Sequence, residues 1–231
     1  MNRTKLILAG LALLLGGVGQ ARADFIAVDF SANANASLQA LDSSYPAGNV
    51  TLGGIPFAIP SSGNNIWRGD VPSDPGIRTL TIPVGVYGVE NVYSLINSFG
   101  GQPGPSSYAS VEFIGSGGAD YIYDLVGNSD IRDWNNDGFT NSINDTTTIN
   151  VVSLEGGQHR LDMQTYSLPA AFQSQTLTDI VLTDSGDDNF QRVFLAGLTV
   201  ASTPEPSTLT LLGIGAAGLV GYGWRRRRRS D

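Results

Sequence analysis

Between residues 24 and 203, apolar and polar side chains alternate or run apolar in short stretches, broken by Gly, Pro, Asn and Asp at intervals of roughly ten residues. That is the pattern of an antiparallel sandwich or barrel. The candidate strands are 25–30, 50–59, 77–84, 108–114, 120–126, 148–154, 159–166, 176–183 and 191–200. In the last, Phe194, Ala196, Leu198 and Val200 fall on one face by the period of two, with Val193, Leu195 and Thr199 opposite. Both faces are largely apolar, which predicts a central strand. Leu80, Ile82 and Val84 share a face, as do Tyr121, Tyr123 and Leu125. Residues 89–96 fit two templates: Val89, Val92, Tyr93 and Ile96 have helical spacing, and a strand is equally compatible. No repeat of about 20 to 50 residues is visible, which argues against a solenoid or propeller. The predicted class is an all-β sandwich.

The two ends break this pattern. Arg3 and Lys5 precede an apolar run from Leu6 to Val18, and Ala21 and Ala23 supply small residues at the −3 and −1 positions. Residues 1–23 therefore read as a secretory signal peptide cleaved before Asp24 by signal peptidase after passage through the export machinery. The alternative is an uncleaved anchor, but thirteen apolar residues fall short of the ~20 needed to span a bilayer. At the other end Pro204-Glu205-Pro206 ends regular structure, because each proline lacks a donor and holds the preceding residue extended. The folded domain is accordingly 24–202 and the tail 203–231. Residues 208–224 carry no charge; as a helix they would reach ~26 Å against a hydrocarbon core of ~30 Å. Arg225, Arg226, Arg227, Arg228 and Arg229 follow and would stop transfer, each costing about 2.5–3.5 kcal/mol at the bilayer centre. Glycines 213, 215, 218, 221 and 223 make the span a weak helix. Alternatively, Gly213, Ala217 and Gly221 form a small-residue packing face.

Pro204-Glu205-Pro206-Ser207-Thr208-Leu209, then Leu211-Leu212-Gly213, a glycine-rich apolar stretch and the arginine block closely resemble the PEP-CTERM sorting signal of Gram-negative bacteria. The same segment is also called an ice-binding protein C-terminal domain, a label that does not imply ice binding. The resemblance implies export, transient anchoring in the inner membrane, recognition of Pro-Glu-Pro by an exosortase-type enzyme, and then release or attachment at the cell surface or outside it. Such proteins often occur where extracellular polysaccharide is made. Within the domain, Val50-Thr51-Leu52-Gly53-Gly54-Ile55-Pro56-Phe57, Val92 to Asn97 and Val111-Glu112-Phe113-Ile114-Gly115 more distantly resemble galactose-binding-like jelly rolls. This implies a jelly-roll-like β-sandwich with a leaning toward glycan, and supplies no ligand residues.

Charge narrows the partners. Five arginines and no lysine face nineteen carboxylates between residues 24 and 203, a net charge of −14, so a phosphate backbone is repelled and no nucleic acid is expected. Divalent cations and neutral glycans, extracellular polysaccharide among them, fit better. The chain has no cysteine and one histidine, His159, which removes disulfides, thiolate sites and most zinc or histidine-relay constellations.

Asp133, Asn135 and Asp137, followed by Gly138, match the first half of a calcium loop, with oxygen ligands at alternate positions before the turn glycine. Position twelve is Asn144, which lacks a carboxylate, and Asp145 is the nearest replacement. Ca²⁺ is thus the one cofactor the sequence suggests, against the plainer reading that Asn-Asp-Gly runs make turns. Asp184, Asp187 and Asp188 form a second acidic loop of the same ambiguity. Trp67 and Trp134 sit among polar residues and are candidates for stacking on a sugar ring, although burial is the commoner fate of a sandwich tryptophan. No nucleophile elbow or phosphate loop is present. The expected function is a non-enzymatic glycan-binding or structural surface protein; the alternative is a secreted carbohydrate-active hydrolase, which needs only two carboxylates placed by the fold.

Overall fold

The computed structural model describes residues 23–69, 78–100, 107, 109–136, 141–185 and 192–203, together with Gly215 and Gly218. Asp24–Thr203 forms one compact unit. Its strands are β1 (Asp24–Ala27), β2 (Gly48–Leu52), β3 (Ile55–Ile59), β4 (Trp67–Arg68), β5 (Arg78–Tyr87) and β6 (Val89–Phe99). They continue as β7 (Ala109–Gly115), β8 (Asp120–Leu125), β9 (Thr148–Leu154), β10 (His159–Ser167), β11 (Thr176–Asp184) and β12 (Arg192–Ser202).

Two antiparallel sheets face each other, ordered β1-β12-β6-β10-β9 and β5-β11-β7-β8, and β4 extends the edge occupied by β1 along β12. The chain changes between these two sheets at β4–β5, β5–β6, β6–β7, β8–β9, β10–β11 and β11–β12. The class is therefore the all-β sandwich that the alternation predicts. Between the sheets lies an inner core that includes Ile82, Val92, Ile96, Phe113, Tyr166, Leu177, Val193 and Val200. A second, outer core covers the other side of the first sheet. There the β2–β3 hairpin and the turn around Leu38 pack Phe57, Ile59 and Leu38 against Leu95, Leu161, Met163 and Phe194. Fully burying such side chains is worth about 1.5–3 kcal/mol each, and the double burial explains why both faces of β12 are apolar.

Three sequence expectations are adjusted by irregularities. A bulge in the β12–β6 pairing between Leu195 and Gly197 shifts the alternation by one residue. Val193, Leu195, Leu198 and Val200 consequently share the inner face, while Phe194 and Ala196 enter the outer core. The stretch 50–59 is a hairpin rather than one strand: Leu52 pairs with Ile55, and Gly53 and Gly54 both take positive φ, 57° and 83°, as a two-residue turn of the hairpin-favoured type requires. Residues 89–96 are strand, and the helical spacing of Val89, Val92, Tyr93 and Ile96 arises because a second irregularity near Ser202 moves Val89 into the inner core while Tyr93 faces outward.

Candidate functional site

The inner face of β10 turns from apolar to polar along its length. Tyr166 is core, and Gln164, Asp162 and Arg160, two residues apart on the same face, are all buried. Polar groups are accommodated here because the first sheet splays. β6 pairs with β10 from Asn91 to Leu95, but beyond that point the stretch 131–136 lies between them. Ser98 bridges to Asp133 and Asn135 to His159. The Ser98 N–H donates to the Arg132 carbonyl (2.9 Å), and the Arg160 N–H donates to that of Trp134 (2.8 Å). Asn97 closes the fork with its side chain. Its Oδ1 accepts from the Asp162 N–H at 2.9 Å and its Nδ2 donates to Asp162 Oδ2 at 2.7 Å, standing in for ladder bonds that the splay removes.

Asp162, fully buried, also receives both arms of the Arg132 guanidinium, Nε to Oδ2 and Nη2 to Oδ1, each at 2.7 Å, and Asn150 Nδ2 at 3.0 Å. Arg160 makes no ion pair among the described residues. It donates to the Asp133 carbonyl at 3.1 Å and to Asn141 Oδ1 at 2.8 Å, and its buried Nε has no hydrogen-bond partner. Burial, and then the charge of Arg132, lower its pKa from the usual arginine value, opposed by Asp162 and Asp133. The connection between β8 and β9 is tied down beside this cluster. Asp130 accepts from the Val126 N–H at 3.0 Å and from Asn144 Nδ2 at 3.2 Å, and Asn144 Oδ1 accepts from the N–H groups of Thr146, Thr147 and Thr148.

Over the cluster lies an open groove of about 450 Å³, lined by Arg132, Ser142, Ile143, Asp145, Asn150, Ser153, Gly157 and Arg160. Apart from Ile143 and Gly157 its lining is polar side chains, and Asp145 is its one carboxylate among the described residues. Such a surface offers hydrogen-bond donors and acceptors at fixed positions, which suits a hydroxyl-rich ligand.

The sequence candidates fall variously around this region. Trp67 is 7% exposed and belongs to the inner core, so its ring is committed to packing. Trp134 is half-buried, edge-on to Phe99 at 5.9 Å between centroids and tilted against His159 at 4.8 Å. Asp133 is buried, and its Oδ1 accepts from the Asn135 N–H at 3.1 Å. Asp145 is exposed with φ of 55° and faces the groove. Asp137 lies outside the described residues, as do Asp187 and Asp188.

The groups brought together instead are Asp42, Glu155 and His159. His159 Nδ1 is 2.8 Å from Asp42 Oδ2 and 3.9 Å from Glu155 Oε2. The hydrogen bond with His159, and then the one from the Ser44 N–H, hold the Asp42 carboxyl below the usual carboxylate range. Nothing in the spacing announces this cluster, since Asp42 is 117 positions from His159. The Arg132–Asp162 pair is equally silent in the sequence.

At the two ends of the compact unit, β1 pairs antiparallel with the last residues of β12, Asp24 opposite Ser202, so the start of β1 and the end of β12 lie side by side at one end of the first sheet. Beyond it, residues 202–228 match the family model of the PEP-CTERM protein-sorting motif. The chain carries a PEP-CTERM sorting signal. This marks it as an exported protein, anchored at the membrane for sorting and processed by exosortase-type machinery. The match includes Pro204, Glu205, Pro206 and Arg225 to Arg228, with Arg229 adjoining it. These residues lie outside the described ones, as does the expected membrane helix 208–224 apart from Gly215 and Gly218, which are helical. Of the expected signal peptide 1–23, residues 1–22, Ala21 included, are likewise outside, and Ala23 directly precedes β1. No curated protein matches the chain.

Proposed function

We propose that this PEP-CTERM protein is delivered to the cell surface or the extracellular matrix, where its sandwich binds a neutral glycan, or serves structurally, without catalysing a reaction. The observation that carries this reading is the polar groove above the β6–β10 fork. Arg132, Asn150 and Arg160 in its lining are held by hydrogen bonds, so little ordering entropy opposes binding through them. The groove's charge favours an uncharged ligand: Arg132 is already neutralised by Asp162, and the domain as a whole repels polyanions. Hydrolysis of a glycoside takes two facing carboxylates, and the groove lining has one carboxylate, Asp145, among the described residues, which favours binding over turnover.

The test is a glycan array probed with the exported chain, with each bound glycan also assayed for hydrolysis. Ser153 is exposed at the groove, so Ser153→Trp should fill it without disturbing the core. Binding that falls at least tenfold in that variant is the expected result. Binding that is indifferent to Ser153→Trp would place the ligand elsewhere, and release of sugar from a bound glycan would replace this reading with the hydrolase.

A further inference from the structure

We infer that Asp42, Glu155 and His159 form a site for a divalent transition-metal ion of the zinc class. They come from two parts of the chain: Asp42 from the stretch after the short helical turn Leu38–Ala40, and Glu155 and His159, four residues apart, from the turn between β9 and β10 and the first position of β10. One ligating atom from each lies within 4.8 Å of the others. Ligands about 2.1 Å from zinc stand roughly 3.4 Å apart around a tetrahedron, between the 2.8 Å and 3.9 Å separations from His159 Nδ1 to the two carboxylates. These two separations need change by only about half an ångström, and the Asp42–Glu155 separation, at most 4.8 Å, by no more than about 1.4 Å.

The surroundings are arranged for this. The His159 and Asp42 side chains are 16% and 8% exposed and so are positioned by the fold, whereas Glu155, at 64%, can close onto an ion. Asp42 Oδ1 is occupied by the Ser44 N–H at 2.8 Å, which leaves Oδ2 facing the imidazole. Trp134 lies against the ring and fixes its plane. Glu155 itself is held at φ of 48°, a left-handed conformation uncommon for a non-glycine residue and frequent at functional sites. Nitrogen in the ligand set selects zinc, copper or nickel over calcium and magnesium, and three protein ligands leave a fourth position for water or an oxygen of a bound molecule. Occupied, the site would tie the segment covering the outer core to the β9–β10 turn.

The experiment uses the full, untagged chain in detergent. Cobalt uptake is followed by its visible absorption, and zinc is then added to displace it while the heat is recorded. One ion per chain is expected. Losing an outer-shell partner costs a metal site 10–100-fold, so His159→Ala, which removes a ligand, should weaken binding by about 100-fold or more, and Glu155→Gln by about tenfold. Glu155 is exposed, so its variant tests the site even if His159→Ala folds poorly. Asp145→Asn, in the groove, should bind as wild type. No stoichiometric cobalt spectrum at millimolar metal, or affinity unchanged in either Glu155→Gln or His159→Ala, would overturn the assignment.

Discussion

Asp162→Ala should be among the most damaging single substitutions in the domain. The carboxylate is fully buried and receives two charged hydrogen bonds from Arg132 at 2.7 Å and two amide bonds, from Asn97 at 2.7 Å and Asn150 at 3.0 Å. Removing it leaves the Arg132 guanidinium, whose side chain is 11% exposed, without its counter-ion. Beside it, Arg160 loses one of the carboxylates that offset its own desolvation. Breaking a buried pair from one side costs about 3–5 kcal/mol, far above the ~0–1 kcal/mol of an exposed salt bridge. In a domain of this size that is a fall in melting temperature of roughly 6–20 °C. Urea unfolding of the exported chain is the assay, with the midpoint shifted and the slope unchanged. Arg132→Met should also destabilise, and the double variant should lose less than the sum of the two, with a coupling of about 0.5–3 kcal/mol. A loss under about 1 kcal/mol with additive singles would mean that water screens the pair, and the account of the fork as a dry polar joint would fail.

The remaining expectations follow from single contacts. Gly197→Ala places a Cβ 2.8 Å from Leu95 Cδ1 and 3.1 Å from Phe57 Cδ1 and should cost about 1–3 kcal/mol by overpacking the outer core, measured by thermal melting. Tyr45→Phe deletes a buried bond from the hydroxyl to the Arg160 carbonyl at 2.8 Å and should cost about 1 kcal/mol; a neutral result would show that water replaces it. Burial raises the phenol pKa of both Tyr45 and Tyr166. The unfolded chain therefore releases these protons first, and stability that is intact below about pH 10 should fall above it by up to about 1.4 kcal/mol per pH unit for each phenol. Tyr45→Phe should flatten that alkaline slope, and an unchanged slope would remove Tyr45 as a contributor. In a host with an exosortase, Glu205→Ala within the matched motif should leave the C-terminal peptide attached in mass spectra of the chain.

Strand positions were legible wherever one period held. β9, Thr148–Leu154, occupies the expected stretch, β8, β10 and β11 differ from expectation by a residue at one end, and β7 is shifted by one residue at both, because a pleated strand buried on one or both faces leaves a direct trace in side-chain polarity. The phase of β12 was not legible beyond Leu195, since a bulge is a backbone event and its apolar residues satisfy either face. The same ambiguity concealed the outer core. A strand apolar on both sides announces two packing partners without naming them, and the second partner, the β2–β3 hairpin, depends on Gly53 and Gly54 making a turn inside what reads as one continuous strand.

The candidate site was less legible for a different reason. Sorting information is linear: the Pro-Glu-Pro, the apolar stretch and the arginines must lie in order along the chain to be recognised as it crosses the membrane, so one segment holds it all. The polar cluster at the β6–β10 fork is assembled across the fold, from Asn97, Arg132, Asn150 and Asp162 on four separate stretches. Their residue types, asparagine and aspartate above all, also make ordinary turns. Asp133 illustrates the consequence. Read along the chain, it is a candidate first ligand of a calcium loop; the fold adds that it is buried and that its backbone carbonyl holds Arg160. His159 was set aside because one histidine has few partners within any motif, yet the returning loop at Asp42 brings it a carboxylate from 117 positions away, beside the one that the turn at Glu155 supplies four residues before it. Where an acidic, lysine-free domain places its few cationic side chains is thus more informative than how many it has. Two of its five arginines converge on one polar groove, and this placement, which no spacing rule encodes, points to where a ligand would sit.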